Sequence, residues 1–379
     1  MTLHRVGVTM GDPAGVGGEV LVHGLHALLR CIEEGRLPAS ALAIRGDGQD
    51  RRSDGSVGAN KDHADKSEAG GGLRESSEAQ CAKLRSIRWR IYGDRQRLDQ
   101  IAEQAGFAAL QRWRNVEVVE TETEGEAFGW GGLTEAGAKA QVSYIEQALA
   151  ERKAGEVQSL VTGPIHKQAL AWMGVRHVGH TEWLAEDAGV SIPVMMLAGP
   201  RLRVVPATIH IALRDVIGAL TPQHLREVIE TTATGMQRWL GFDRPRLGVC
   251  GLNPHAGDGG LMGKEEQHWM IPLLREMAQQ EQMALVGPLP ADTAFYFASK
   301  GGYDAVIAMY HDQALAPLKV LHFEEAINLT LGLPYLRTSV DHGTAYDIAG
   351  SGKASAQSML HALVIAGLSV SLAFSDEQH

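Results

Sequence analysis

A histidine, two cations, an amide and a glycine turn follow one another within residues 302–350. The apolar run 305–309 climbs to Tyr310 and stops at His311-Asp312-Gln313. A buried parallel strand reads this way when its last residues face a cleft. Lys319, Asn328 and Arg337 come next. Arg337 lies in the apolar and β-branched run 335–340, where a guanidinium needs a partner, and an anionic substrate is the expected one. His342-Gly343-Thr344-Ala345 follows. By pattern alone, 342–350 is either a helix start capped by Asp347 or a ligand-binding turn. A metal-type residue, an anion clamp and a glycine turn in one passage point to a catalytic site.

Three further apolar runs end at histidine. Residues 160–162 lead to His166, 204–209 to His210, and 247–252 to Asn253-Pro254-His255. In open α/β sheets the carboxyl ends of strands line the ligand crevice. A single strand-end histidine is more often a hydrogen-bonded structural residue than a ligand. The repeated placement favours ligands, and His210, His255 and His311 form the expected metal set. Three neutral imidazoles with one open position make a catalytic zinc-type site. Asp292 and Asp312 are the expected outer charges, and with a bound water they stay open as the proton acceptor. Thr181 reads as the cap of a helix over 182–188, closed by Gly189, which puts His180 and Thr181 where an anion is welcome.

These side chains need a frame. The chain has 379 residues, 44% hydrophobic and 21% charged, enough for two lobes of a globular enzyme. A formal charge of −10 argues against a nucleic-acid surface. Cys31, Cys81 and Cys250 are widely spaced without CxxC, so neither a disulfide framework nor a cysteine zinc site is expected. No signal peptide is read at Met1, and the apolar run 360–374, broken by His361 and Gly367, reads as a buried helix rather than a membrane span. The cytoplasm is the expected location.

The run 6–10 reads as a first strand, Gly11 to Glu19 as a glycine-rich loop, and the following segment as a helix with Leu21, Leu25 and Leu28 on one face. The loop lacks GxGxxG in register and lacks Gly-Lys-Ser/Thr. A tight packing turn is the preferred reading, and a rim of the cleft the alternative. Residues 46–80 have almost no large apolar side chain and read as a flexible surface insertion. Strands are expected at 87–92 and 116–119, and a helix over 134–150 capped by Thr134.

The motifs GDPAGVGGE (11–19), TGPIHK (162–167), GHTEWL (179–184), IHIALRDV (209–216), NPHAGDGG (253–260), LPADT (289–293), MYHDQALAPLK (309–319) and NLTLGLPYLRTSVDHGTAYDIAG (328–350) resemble the 4-hydroxythreonine-4-phosphate dehydrogenase family. They span nearly the whole chain in one order. The resemblance implies an isocitrate/isopropylmalate dehydrogenase-like α/β fold, not a Rossmann domain, with two lobes around a central cleft. Residues 1–165 and 300–379 would form the outer, nucleotide-side lobe, and 166–299 the inner lobe with the metal ligands and dimer contacts. It also implies NAD- or NADP-dependent oxidation of 4-phosphooxy-L-threonine in pyridoxine phosphate biosynthesis. One divalent ion (zinc, magnesium or cobalt) would sit on His210, His255 and His311 at a homodimer interface.

Carried over by motif, His180, Thr181, Lys319, Asn328 and Arg337 would bind substrate, with Lys319 also near the chemistry. His342, Gly343, Thr344, Ala345 and Asp347 would hold the adenosine half of the nucleotide. Gly18, Ala212, Ala314 and Ala316 depart from the family's usual loop residues. A sibling dehydrogenase for threonate or erythronate 4-phosphate is the alternative reading, and a non-catalytic metal or phosphometabolite binder a third.

Overall fold

The apolar runs of the sequence fold as neighbouring strands of one sheet. The computed structural model describes residues 4–46, 76–119, 121, 128–177 and 179–373. Its strands are β1 (Arg5–Thr9), β2 (Arg88–Tyr92), β3 (Val116–Val119), β4 (Ser159–Thr162), β5 (Val194–Ala198), β6 (Arg203–Thr208), β7 (Arg246–Cys250), β8 (Ala284–Leu289), β9 (Ala305–Tyr310), β10 (Ile327–Leu331) and β11 (Arg337–Val340). They stand in the order β3-β2-β1-β4-β11-β10-β5-β6-β9-β7-β8. Helices fill the intervals, giving a mixed α/β architecture.

The pairing divides the sheet. β3, β2, β1, β4 and β11 run parallel. β6, β9, β7 and β8 also run parallel to one another. Between the blocks, β10 is antiparallel to both β11 and β5, and β5 is antiparallel to β6. The two parallel blocks therefore point in opposite directions. β1, β4 and β9 carry almost unbroken buried side chains, as strands covered on both faces must. β9 (305–310) lies between β6 and β7 in the second parallel block.

The Gly17–Glu34 helix buries Leu21, Leu25 and Leu28 as the pattern requires. Gly17 lets it start close to the strand; a Cβ there would stand 2.3 Å from the carbonyl oxygen of Met10. The Glu135–Lys153 helix is capped by Thr134, whose Oγ1 accepts from Gly137 N at 3.0 Å.

The apolar C-terminal helix, Gln357–Ala373, is a core element. Its polar residues are satisfied by the protein: His361 binds Ser40 Oγ and the Glu325 carbonyl, and Ser369 Oγ donates to the Trp239 carbonyl at 2.7 Å. Gly367 passes so near Leu84 and Trp89 that a Cβ would clash. Among the described residues no helix is long and apolar enough to cross a membrane.

Most of the expected insertion lies outside the described residues. Its end, 76–80, is not loose. Ser76 caps the Ser77–Arg85 helix by accepting from Ala79 N, and Gln80, Cys81 and Leu84 are buried. An apolar face closely following a serine cap overrode the polar composition.

Candidate active site

The antiparallel join makes the floor of a cleft. In its register Asn328 faces Ser339 and Thr330 faces Arg337, while Met195 pairs with Thr330 on the other side. Directly opposed residues share a face. Met195, Asn328, Arg337 and Ser339 accordingly line a cleft of about 250 Å³. The loop after β4 supplies Gly163 and Lys167, the end of β6 supplies Ile209 and His210, and the turn after β11 supplies His342 and Gly343. His180, Thr181 and Glu182 stand at the start of the His180–Asp187 helix and complete the wall.

Arg337 is buried without a carboxylate partner among the described residues. Its Nε and Nη2 donate to Thr162 Oγ1 at 3.0 and 2.6 Å, and Nη1 to Thr330 Oγ1 at 3.2 Å. Burial pushes its guanidinium pKa down to about 10. His180 is also buried; burial first, and the Arg337 charge second, hold its imidazole well below the usual range, so it is neutral at pH 7. Among the described residues, His180 Nε2 and Asn328 Oδ1 are buried without a hydrogen-bond partner. Such atoms are costly unless something else satisfies them. An anion with polar substituents matches this wall. Thr181 is not the cap expected from the sequence: the helix begins at His180, and the preceding Gly179 makes no side-chain cap bond. Both residues still lie in the first helical turn.

β6, β9 and β7 are adjacent and parallel, which gathers the histidines that follow them at one end of the block. The His210 and His311 rings are 5.6 Å apart, centre to centre. Two imidazoles on one tetrahedral ion, with nitrogen–metal distances of about 2.1 Å, would have ring centres roughly 5 Å apart. His311 Nδ1 sits 2.7 Å from Asp312 Oδ1, the carboxylate–histidine arrangement that fixes a ligand's tautomer. These two residues fit a divalent ion.

His255 is not with them. It does not line the cavity that His210, His311 and Asp312 share, and among the described residues no three metal-type side chains come together. It is exposed on an unusual turn. His255, Ala256, Gly257, Asp258 and Gly259 all have left-handed backbone, with φ from 41° to 81°. Non-glycine residues adopt this only under constraint. Buried Glu266 provides it, accepting from Asn253 N at 2.8 Å and Asn253 Nδ2 at 2.9 Å.

The turn at 342–350 is not a helix start; the next helix begins at Gln357. Ala345 has φ 43°, Thr344 is buried, Asp347 is exposed, and a Cβ on Gly343 would meet open space. The glycine-rich loop 11–19 braces this turn. Thr344 O accepts from Val16 N, and Gly15 approaches Thr344 too closely for any side chain. Tyr346 OH donates to buried Asp12, which also accepts from Ala14 N and Gln141 Nε2. The Glu19 carboxylate accepts from Gly350 N at 3.1 Å and Gly352 N at 2.8 Å. Sequence reasoning missed Asp12 and Glu19 in this role. The available signal was two carboxylates in a glycine-rich loop right after a buried strand.

Two other expected site residues do not line the cleft. Lys319 does not line the cleft; its Nζ is 2.7 Å from both Asp341 Oδ2 and Asp341 O. Asp292 is exposed in the first turn of the Ala291–Ser299 helix and lines neither cavity.

The sequence profile of the family described as "Pyridoxal phosphate biosynthetic protein PdxA" matches residues 77–366. A 4-hydroxythreonine-4-phosphate dehydrogenase from Geobacter metallireducens is 39% identical over 367 residues, 96% of this chain and 95% of that one. The enzyme of the same name from a Ruegeria species is 55% identical over 213 residues, which is 56% of this chain and 65% of the relative. A crystal structure of a 4-hydroxythreonine-4-phosphate dehydrogenase from Burkholderia phymatum superimposes with a TM-score of 0.68 at 33% identity, covering 97% of this chain and 99% of that one.

Proposed function

The chain belongs to the family of the pyridoxal phosphate biosynthetic protein PdxA, and on that premise we propose that it oxidises 4-phosphooxy-L-threonine with NAD or NADP. The C3 hydroxyl becomes a ketone: a hydride leaves C3 for the nucleotide and the hydroxyl proton leaves for a base. The product, 2-amino-3-oxo-4-phosphooxybutyrate, is a β-keto acid and decarboxylates to 3-amino-2-oxopropyl phosphate. The reading includes an isocitrate/isopropylmalate dehydrogenase-like arrangement of two lobes about the cleft.

The chain's own residues do the positioning. Arg337 binds the phosphate with a guanidinium already fixed by two threonines. Asn328 and neutral His180 offer their unpartnered atoms to the same ligand, and Thr181 presents the first turn of its helix to the anion. Lys319 is assigned to the anionic ends of the substrate on the family pattern, leaving Asp341 to do so. His342, Gly343, Thr344, Ala345 and Asp347 would hold the adenosine half beside the cleft. His210 and His311 would hold one divalent ion, zinc, magnesium or cobalt, and His255 would come from a second copy of the chain. When bound, the nucleotide supplies the hydride acceptor and the ion a Lewis acid that lowers the hydroxyl pKa. Asp312 orients His311 for that role. Exposed Ile211, Leu213, Leu261, Met262, Val320 and Phe323 lie near the three histidines in sequence, which favours a homodimer packed over this region.

The observation that carries the reading is buried Arg337, which forms no ion pair among the described residues, in one wall with two polar atoms that have no hydrogen-bond partner among them. The test is NADH or NADPH formation from 4-phosphooxy-L-threonine and from threonate and erythronate 4-phosphates, with each metal. Turnover of the first, abolished by chelator, is expected. Turnover of only the latter two would move the chain to the sibling activity, and metal-dependent binding without reduced nucleotide from any of them would leave a binder.

A further inference from the structure

A second cavity, of about 340 Å³, has no part in the proposed reaction. Among the described residues it shares no lining side chain with the cleft. Trp89 enters it from the start of β2, and Asn115 from just before β3. β3, β2, β1, β4 and β11 run parallel, and the cleft draws on the segments that follow β4 and β11. The second cavity therefore lies at the opposite, amino end of the same block. Its volume is in the range of small-molecule sites.

The cavity is basic. Arg30, Arg85, Arg112 and Arg114 line it, against the single carboxylate of Glu33 among the described residues. The chain as a whole carries a formal charge of −10, so this gathering of guanidinium groups runs against its own balance. Two of the four are engaged. Arg30 Nη2 donates to Glu34 Oε1 at 2.7 Å, and Arg85 Nη2 to the Ile32 carbonyl at 2.7 Å. The side chains of Arg112 and Arg114 make no hydrogen bond or ion pair among the described residues. Like charges around one cavity repel each other and raise the local concentration of anions.

The remaining wall is apolar and built of rings. Leu29, Leu84 and Trp113 belong to it. Trp113 is held in place: its Nε1 donates to the Ala108 carbonyl at 2.8 Å, and its ring meets Phe107 edge-on with centres 6.3 Å apart. Phe107 in turn stacks on His26 at 3.7 Å. Burial first, and the Arg30 charge second, lower the His26 pKa, so a neutral imidazole lines the cavity at pH 7. Asn115 closes one corner. It has left-handed backbone, with φ 60°, and its Nδ2 donates to the Arg85 carbonyl at 2.8 Å. Rings and corner are thus set before a ligand arrives, which lowers the ordering cost of binding.

We infer that this cavity is a second ligand site, for a small aromatic phosphate whose ring lies against Trp113 and whose phosphate is held by Arg112 and Arg114. A carboxylate is satisfied by one guanidinium fork, whereas the three oxygens of a phosphate monoester can take two. A flat ring gains both apolar burial and stacking from the Trp113 wall. The inference stands apart from the reaction at the cleft. Because the proposed substrate also carries a phosphate, the test has to tell the two sites apart.

Phenyl phosphate and pyridoxine 5′-phosphate are titrated into the full-length chain by calorimetry, beside inorganic phosphate and phosphate-free pyridoxine. At least one aromatic phosphate should bind saturably, roughly tenfold or more tighter than inorganic phosphate. Pyridoxine should bind at least about tenfold more weakly than its phosphate ester. Arg112→Gln and Arg114→Gln are each expected to weaken the aromatic phosphate about tenfold. Both residues are exposed, so neither change threatens the core. Trp113→Leu should weaken it about fivefold and leave inorganic phosphate within about twofold. Arg337→Lys, which acts on the cleft, should leave the aromatic phosphate within about twofold.

Absence of binding by both aromatic phosphates would overturn the inference. So would binding that survives unchanged in Arg112→Gln and Arg114→Gln, and loss confined to Arg337→Lys would place the ligand in the cleft instead. Inorganic phosphate binding as tightly as both esters would overturn the assignment of the ring to Trp113.

Discussion

Arg337 is a buried cation whose partners are two threonine hydroxyls rather than a carboxylate. Its planar fork is held in place before any ligand arrives, so the ordering cost of gripping a phosphate is low. Lysine keeps the charge and loses the fork. Arg337→Lys is therefore expected to raise KM for the phosphorylated substrate by about a hundredfold, with a smaller effect on kcat. Steady-state kinetics beside a melting curve checks this, and a fall in Tm large enough to explain the loss would place the residue's main role in the core. Arg337 was legible in the sequence because a cation inside a β-branched apolar run is anomalous by itself. Lys319 carried no such anomaly. Its neighbours predicted proximity to the cleft, and only the fold shows it against Asp341, more than twenty residues later.

At the scale of elements, the turn after β11 is shaped by a loop from the other end of the chain. Glu19 accepts two backbone N–H groups of that turn from within the Gly17–Glu34 helix, and Asp12 holds Tyr346. Burial and the Asp12 carboxylate both push the Tyr346 hydroxyl far above its usual pKa, so it remains a donor at any working pH. Glu19→Ala leaves two N–H groups without their acceptor, at a cost of about 1–3 kcal/mol. If 342–350 is the nucleotide seat, KM for NAD or NADP should rise about tenfold in this variant while binding of the phosphorylated substrate is unchanged. Calorimetry with each ligand separates the two, and equal weakening of both would show that the brace supports the whole cleft instead. The sequence shows elements well wherever one helix or strand carries its own period, as in 17–34, 116–119 and 305–310. It hides a brace whose two ends lie more than three hundred residues apart. The helix at 77–85 was obscured for another reason: its few apolar residues follow a long polar stretch that dominates the local composition.

For the whole molecule, the proposed metal site requires His255 to meet the other two histidines. Their strands are neighbours, yet His255 is exposed on a run of five left-handed residues, 255–259, and buried Glu266 fixes Asn253 at the start of that run. A conformation this unfavourable persists where the surrounding structure imposes it, and commonly where function needs it. A ligand aimed outward from one subunit is of use to a second. In the proposed homodimer, exposed Ile211, Leu213, Leu261 and Met262, near His210 and His255 in sequence, would give the second subunit a surface to pack on. The arrangement has a consequence that separate chains can reveal. His255→Ala and His311→Ala are each expected to be inactive as homodimers. Mixed and allowed to exchange subunits, they should recover about a quarter of wild-type activity, because roughly half of the dimers are mixed and one of the two sites in each is whole. In that site His210 and His311 come from the His255→Ala chain and His255 from its partner. Metal content should return in the same proportion. Were all three ligands contributed by one chain, every site in every mixture would lack a histidine, and neither activity nor metal would recover.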